Sequence, residues 1–341
     1  MTPAELSRAV LSTVRRAVAA EELLVAVPEK VVVRRPPRPG CGDYATNVAL
    51  QLAGPAGRTP QAVAEILARR LAREPGIAQV EIAGRGFLNI TLSARAYGDV
   101  VRQVRAQGAQ YGHGDGLADE AVAMTAEWGA LRGRVVAEAV NRLLRATGVR
   151  QLDGGPPTAA GGGLRQEPVE VAEPAGAVAD VGADALRWGL LRPPGEDVPR
   201  VGVELLEQRE SNPLFRIRYA HARTRALARN AAELGVDVEA AEDPRTAPYH
   251  HPAETELLGL IADYPRVVET AARRRAPDRV ARHMERLADA FLRFHDECPP
   301  LPKGDEKPSA AHGARIRLAE ATGIVLAGGL CLLGISAPEY V

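Results

Sequence analysis

The sequence predicts an α+β domain at its N-terminal end and an all-α helical bundle at its C-terminal end. Three observations predict this. Up to residue 112, short apolar strand-like segments alternate with helical ones. Between residues 151 and 177 periodicity disappears and Gly and Pro gather. Beyond residue 178 apolar residues recur at helical spacing almost to the end.

Thr2-Pro3-Ala4-Glu5 is a capping box with Pro in the first turn, and it predicts a helix over residues 2–26. Val31 to Val33 reads as a short strand and Pro36 to Gly42 as a loop. A helix is expected from Tyr44 to Leu52. Another is expected from Pro60 to Arg73, with Val63, Ile66, Leu67 and Leu71 on one stripe. Gln79–Ile82 and Phe87–Leu92 read as strands joined by the Gly84-Arg85-Gly86 turn, and Ala94–Gln107 returns to helix. Further on, Glu256–Tyr264 reads as a short helix stopped by Pro265. Val280, Met284, Leu287, Ala288 and Phe291 form one helical stripe, and Leu318, Thr322, Val325, Leu326, Gly329 and Leu333 another. Phe215, Tyr219, Ala222 and Ala226 are expected to be a third, buried stripe. Helices joined by short connections favour an antiparallel bundle. Trp128 and Trp188 are expected to be packed inside, and the run Arg273 to Arg275 to cap a helix C-terminus.

Composition narrows the function classes. The chain is 46% hydrophobic and 25% charged, with 43 basic and 43 acidic residues, so a charge-saturated nucleic-acid binder is excluded while local basic patches are permitted. Three isolated cysteines, with no CxxC pair, argue against a disulfide framework or a structural zinc. The histidines are scattered. No metal site and no cofactor is expected. No apolar run reaches the ~18 residues of a membrane span, and no signal peptide opens the chain. A cytoplasmic protein is the expectation, with neither a membrane nor DNA as partner.

The motifs are more specific than the composition. Near the N-terminus stand Gly42-Asp43-Tyr44-Ala45-Thr46-Asn47, Gly57-Arg58-Thr59-Pro60 and Gly84-Arg85-Gly86-Phe87-Leu88-Asn89-Ile90. Further on come Gly182-Ala183-Asp184-Ala185-Leu186-Arg187, Asn212-Pro213, Tyr219-Ala220-His221-Ala222-Arg223 and an ending Leu332-Leu333-Gly334-Ile335-Ser336-Ala337-Pro338-Glu339. In this order they resemble the two non-catalytic ends of arginyl-tRNA synthetase: the additional N-terminal domain, which grips the tRNA elbow, and the anticodon-binding domain named after its Asp-Ala-Leu-Arg signature. The resemblance divides the chain into an N-terminal additional domain over 1–112, a degenerate catalytic remnant over 113–150, a Gly/Pro-rich linker over 151–177 and the anticodon-binding helical domain over 178–341.

Between those ends the resemblance fails. Class I synthetases carry a His-x-Gly-His motif at a helix start, where it meets ATP phosphates as charge develops. Leu131-Arg132-Gly133-Arg134 still resembles the helix after that motif, but its slot holds Glu127-Trp128-Gly129-Ala130. Both histidines are missing. The chain also lacks a Lys-Met-Ser-Lys loop and the length for a Rossmann sheet of several βαβ units. The class I catalytic domain is thus largely deleted, and unaided aminoacylation is not expected.

The resemblance implies where tRNA would lie. On the elbow side, Asn47, Phe87 and Asn89 are the candidates. Phe87 would stack on an exposed base and Asn89 would bond its edge; the alternatives are a core Phe, a turn-stabilising Asn89 and an Asn47 merely at a helix surface. On the anticodon side, Arg218, Arg225 and Arg229 form a basic stripe with Tyr219 and His221 beside it, and the alternative is a solvated charged face. Arg216 and Arg218 stand where the family tends to carry Tyr and Gln, and the ending Glu339-Tyr340-Val341 replaces the family's usual final Met. Three functions compete: a protein of translation that docks tRNA, with an arginine isoacceptor expected, without charging it; an arginine–tRNA ligase by descent that needs a catalytic partner; and a protein-interaction scaffold that has lost RNA binding.

Overall fold

Thr2 and Glu5 start the first helix as the sequence predicts. The Thr2 hydroxyl accepts from the Glu5 N–H at 3.3 Å and the Glu5 carboxylate accepts from the Thr2 N–H at 2.7 Å. This helix, α1 (Pro3–Ala19), buries Leu6, Val10, Val14 and Ala17. It stops well before residue 26 because Glu21 turns to φ +58° and the N–H groups of Glu22 and Leu23 bond back to Ala17. The computed structural model describes residues 1–36, 41–150, 165–176, 178–239 and 249–341. It has two compact units, Met1–Arg102 with Glu242–His250, and Gln103–Ala241 with His251–Val341.

The first unit carries an antiparallel sheet in the order β1-β2-β4-β3, formed by β1 (Val33–Arg34), β2 (Tyr44–Thr46), β3 (Ile77–Ala83) and β4 (Phe87–Leu92). The single helix expected over 44–52 is instead β2 followed by α2 (Val48–Ala53). Tyr44, Ala45 and Thr46 pair with Ile90, Asn89 and Leu88, and Tyr44 and Thr46 are buried. A three-residue strand is too short for its alternation to show in sequence, so long-range pairing decides it. Helix α3 (Pro60–Leu71) starts on the Thr59 cap and buries Val63, Ile66, Leu67 and Leu71, the predicted stripe. Helix α4 (Ala94–Gln107) follows β4 as expected. Residues 37–40 of the expected loop lie outside the described residues.

In the second unit, β5 (Val122–Thr125) and β6 (Arg165–Pro168) pair in parallel, with α5 (Leu131–Ala146) between them in sequence. This is one βαβ unit. Strand β6 falls inside the stretch read as linker. Its sequence Arg-Gln-Glu-Pro has no strand propensity, and only pairing with β5 makes it a strand. Residues 151–164, the other part of that linker, lie outside the described residues.

The bundle comprises α6 (Gly182–Leu191), α7 (Pro213–Glu233), α8 (Pro252–Arg273), α9 (Asp278–Glu297) and α10 (Ala310–Leu333). The predicted stripes on α9 and α10 are buried throughout. Helix α10 is long and apolar enough to cross a membrane, but 72% of its most apolar window is buried inside the protein. It packs against α7, α8 and α9 as a core helix. Helix α8 does not stop at Pro265 but runs through it. Proline cannot bond the carbonyl four residues back, and here that carbonyl, on Ile261, accepts the Tyr111 hydroxyl at 3.1 Å. The α7 stripe also lies elsewhere than expected. Leu214, Ile217, Ala220, His221, Thr224, Leu227 and Ala231 face the core, whereas Tyr219 is exposed and stacks on Phe215. Trp188 is packed as expected. Trp128 is fully exposed, because the turn before α5 points it outward.

Candidate nucleic-acid interface

Strand alternation sets up the first candidate surface. Leu88, Ile90 and Leu92 of β4 are buried in the core. Phe87 and Asn89 therefore project from the opposite face, with Phe87 46% exposed. Asn89 stands in register between Ala45 of β2 and Glu81 of β3. Asn47 occupies the cap position of α2, yet its side chain makes no capping hydrogen bond. A cavity of about 720 Å³ brings all three predicted residues together, along with Arg34, Gln51 and the backbone turn at Gly84. The local turns are fixed by other members of the same motifs. The Asp43 carboxylate accepts from the Leu92 N–H at 2.7 Å, and the Asp43 N–H donates to Ile90 at 2.9 Å. Phe87 is thus not a core aromatic, and Asn89 is not consumed by a turn.

The second predicted surface exists as a helix face, but its cations are already engaged. Arg218 is ion-paired with Asp184, the first residue of the Asp-Ala-Leu-Arg signature, and donates to the Ser336 hydroxyl at 3.0 Å. Arg187, the last residue of that signature, pairs with Glu138 at 2.7 Å. His221 is buried, and its Nδ1–H donates to the Pro338 carbonyl at 2.9 Å. Burial lowers its pKa below the ordinary imidazole value, a shift that the Pro338 bond partly opposes. Arg225 pairs with Glu339 at 2.9 Å, and the Arg229 guanidinium lies over the Tyr340 ring at 4.7 Å from its centroid. Tyr219 is exposed beside this row. The predicted stripe is correct as a face; the segment after α10 that lies along it was not foreseen. Glu339 and Tyr340 were visible only as an unusual ending.

The third location is the start of α5. Glu127, Trp128 and Gly129 are exposed in the turn before it, and Ala130 is the cap residue with no side-chain cap bond. The first-turn N–H groups of Arg132 and Gly133 instead donate to the Glu173 carboxylate at 2.9 and 2.8 Å. A helix N-terminus attracts anions through these donors and its dipole. Here a side chain of the protein itself fills that role. Arg132 is buried and donates to the carbonyls of Ala172, Leu190, Pro193, Pro194, Gly195 and Asp197 at 2.6–3.2 Å. Sequence reasoning missed both residues. Glu173 is some forty positions from its partners in an aperiodic stretch, and Arg132 reads as an ordinary surface arginine of a first turn. The Arg273–Arg275 run is divided: Arg275 donates to the α8 end carbonyl of Ala272 at 2.8 Å, as a cap does, and also pairs with Glu120 and Glu167.

Comparison with known proteins places the chain in a family. The family described as the arginyl tRNA synthetase N terminal domain matches residues 5–92, and the DALR anticodon binding domain matches residues 217–341. The arginine–tRNA ligase of Frankia alni is 30% identical, covering 99% of this chain and 100% of that protein. That of Renibacterium salmoninarum is 29% identical with the same coverage. The first alignment runs over 551 positions against a chain of 341 residues, so the relative carries long segments that this chain lacks. Among solved structures, Thermus thermophilus arginyl-tRNA synthetase superposes with a TM-score of 0.70 at 14% identity over 100% of both chains. The Plasmodium falciparum enzyme gives 0.69 at 9% identity over 99% of both. At these identities the superpositions speak to the fold.

Proposed function

Because the chain belongs to the arginyl-tRNA synthetase family, with its anticodon-binding domain present and its catalytic domain largely absent, we propose that it docks tRNA, an arginine isoacceptor by descent, without charging it. The observation that carries this reading is the cavity that gathers Asn47, Phe87 and Asn89. Two carboxamides with free donors and acceptors, flanking an exposed aromatic face, are what a splayed-out base requires: stacking on one side and edge hydrogen bonds on the other. Arg34, exposed on the adjacent strand and without a partner among the described residues, supplies a cation for the neighbouring phosphate.

The start of α5 supports the second half of the proposal. With Glu173 on the first-turn N–H groups and Glu127 in place of a histidine, a triphosphate would meet two carboxylates and no histidine. The surviving βαβ unit offers one parallel strand pair, too little to build a nucleotide site of the class I kind.

A mobility-shift series with purified arginine tRNA and total tRNA tests the docking. Asn89→Ala should weaken binding by about 1–3 kcal/mol if the side chain reads a base edge. Phe87→Ala should lose a stacking contribution of similar size, about 1–3 kcal/mol. Both side chains lie off the core face, so the thermal midpoint should hardly move. Unchanged affinity in both variants would remove the elbow cavity from the account.

A further inference from the structure

Four contacts run in register along one face of α7. Arg218 meets Ser336, His221 meets the Pro338 carbonyl, Arg225 meets Glu339, and Arg229 meets Tyr340. The segment after α10 is therefore laid lengthwise on the helix, in the same direction as α7, covering the basic stripe residue by residue. It is held differently from the bundle beneath it. Ile335 is the last buried side chain; Ser336, Glu339, Tyr340 and Val341 are exposed. The ion pair of Arg225 and Glu339 is about half exposed on both sides. Beneath the segment, between α7 and α10, a cavity of about 450 Å³ is lined by His221, Thr224, Arg225, Gly323, Ala337 and Glu339. The segment bridges this space and does not fill it. Polar contacts that are mostly exposed, with no apolar anchor beyond Ile335, belong to the low-stability end of a structure, which opens locally without global unfolding.

On the reading that this chain docks tRNA, we propose that Pro338–Tyr340 form a strap that competes with RNA phosphate for the α7 arginines. The strap mimics the ligand. Glu339 places an anion on Arg225 as a phosphate would, Tyr340 offers Arg229 a π face as a base would, and the Pro338 carbonyl accepts the His221 Nδ1–H bond. Closed, it removes two cations from the surface. Open, it exposes Arg225 and Arg229 beside Tyr219, whose ring is already outside the core. Arg218 stays tied to Asp184 in either state, because that pair involves α6 and not the strap. The surface that opens is thus narrower than the whole stripe, and lies toward the C-terminal half of α7.

The test uses the full chain, a chain ending at Ala337, and the full chain carrying Glu339→Gln with Tyr340→Ala. All three keep Ile335 and Ser336, and a thermal melt verifies folding. The probe is total tRNA, titrated at several salt concentrations. Freeing two arginines should raise affinity about ten-fold at low salt and steepen the slope of log affinity against log salt by nearly 2. If the full chain binds and Asn89→Ala weakens it, yet neither strap variant changes affinity or slope, the strap is overturned and the docking proposal stands. If no form binds tRNA at low salt, both are overturned together.

Discussion

Gly42 shows how the recognisable motifs divide their labour. It sits at φ +79°, and a Cβ there would lie 3.0 Å from the Ile90 oxygen; Gly86, at φ +126°, would press on Pro60 in the same way. These glycines and Asp43 hold the turns, and Phe87 and Asn89 are thereby left free on the surface. Arg132 has the opposite fate, spending its charge on six carbonyls. Arg132→Met should leave those acceptors dry and cost at least about 3 kcal/mol, read as a lower urea midpoint at unchanged slope; a cost under about 0.5 kcal/mol, the size of a surface substitution, would show the site is not structural. Tyr111 and Pro265 form a pair that can be tested as one. Tyr111→Phe should cost about 1–2 kcal/mol because the Ile261 carbonyl loses its donor. In a Pro265→Ala background it should cost less, since the new N–H reaches that carbonyl. Equal costs in both backgrounds would dissociate the tyrosine from the proline.

At the scale of elements, the strap and α7 share a titratable group. Burial holds His221 below the ordinary imidazole value, so as pH falls the unfolded chain takes up a proton before the folded one does. Its contribution to stability is complete above about pH 6.5 and is lost as pH falls toward the folded value. His221→Gln should therefore lose less stability than the parent between pH 7 and pH 5.5, measured by denaturant titration at each pH. His113 shifts in the same direction and remains in both proteins, so the difference isolates His221. The long helices were legible in sequence: the α9 and α10 stripes and the α3 stripe fall where periodicity puts them, because each runs for three or more turns against one core. What escaped is non-local. Strands β2 and β6 are three and four residues long and owe their conformation to partners far along the chain. The α7 stripe slipped by one position because alanines populate both faces, so Phe215 and Tyr219 misled where Leu214 and Ile217 decide. Pro265 was read as a stop because its compensating hydroxyl comes from Tyr111, which no local pattern reveals. Asn47, Phe87 and Asn89 were legible as a set through the motifs, yet their gathering on one face had to come from the pairing of β4.

For the molecule as a whole, the N-terminal and anticodon-binding domains of the family are kept beside a helix start closed by Glu173. Zero formal charge means that binding must come from local surfaces. The two tryptophans report on the closed start without interfering with it: with Trp188 replaced by Phe, emission from Trp128 alone should be fully quenchable by acrylamide, whereas a protected Trp128 would contradict the exposed turn before α5. The central claim is tested most directly in one sample, by incubating the chain with arginine tRNA, ATP and labelled arginine while following both complex formation and arginyl-tRNA. The account predicts a salt-sensitive complex and no arginyl-tRNA above a protein-free control; charging of the tRNA, or the absence of any complex at low salt, would contradict it.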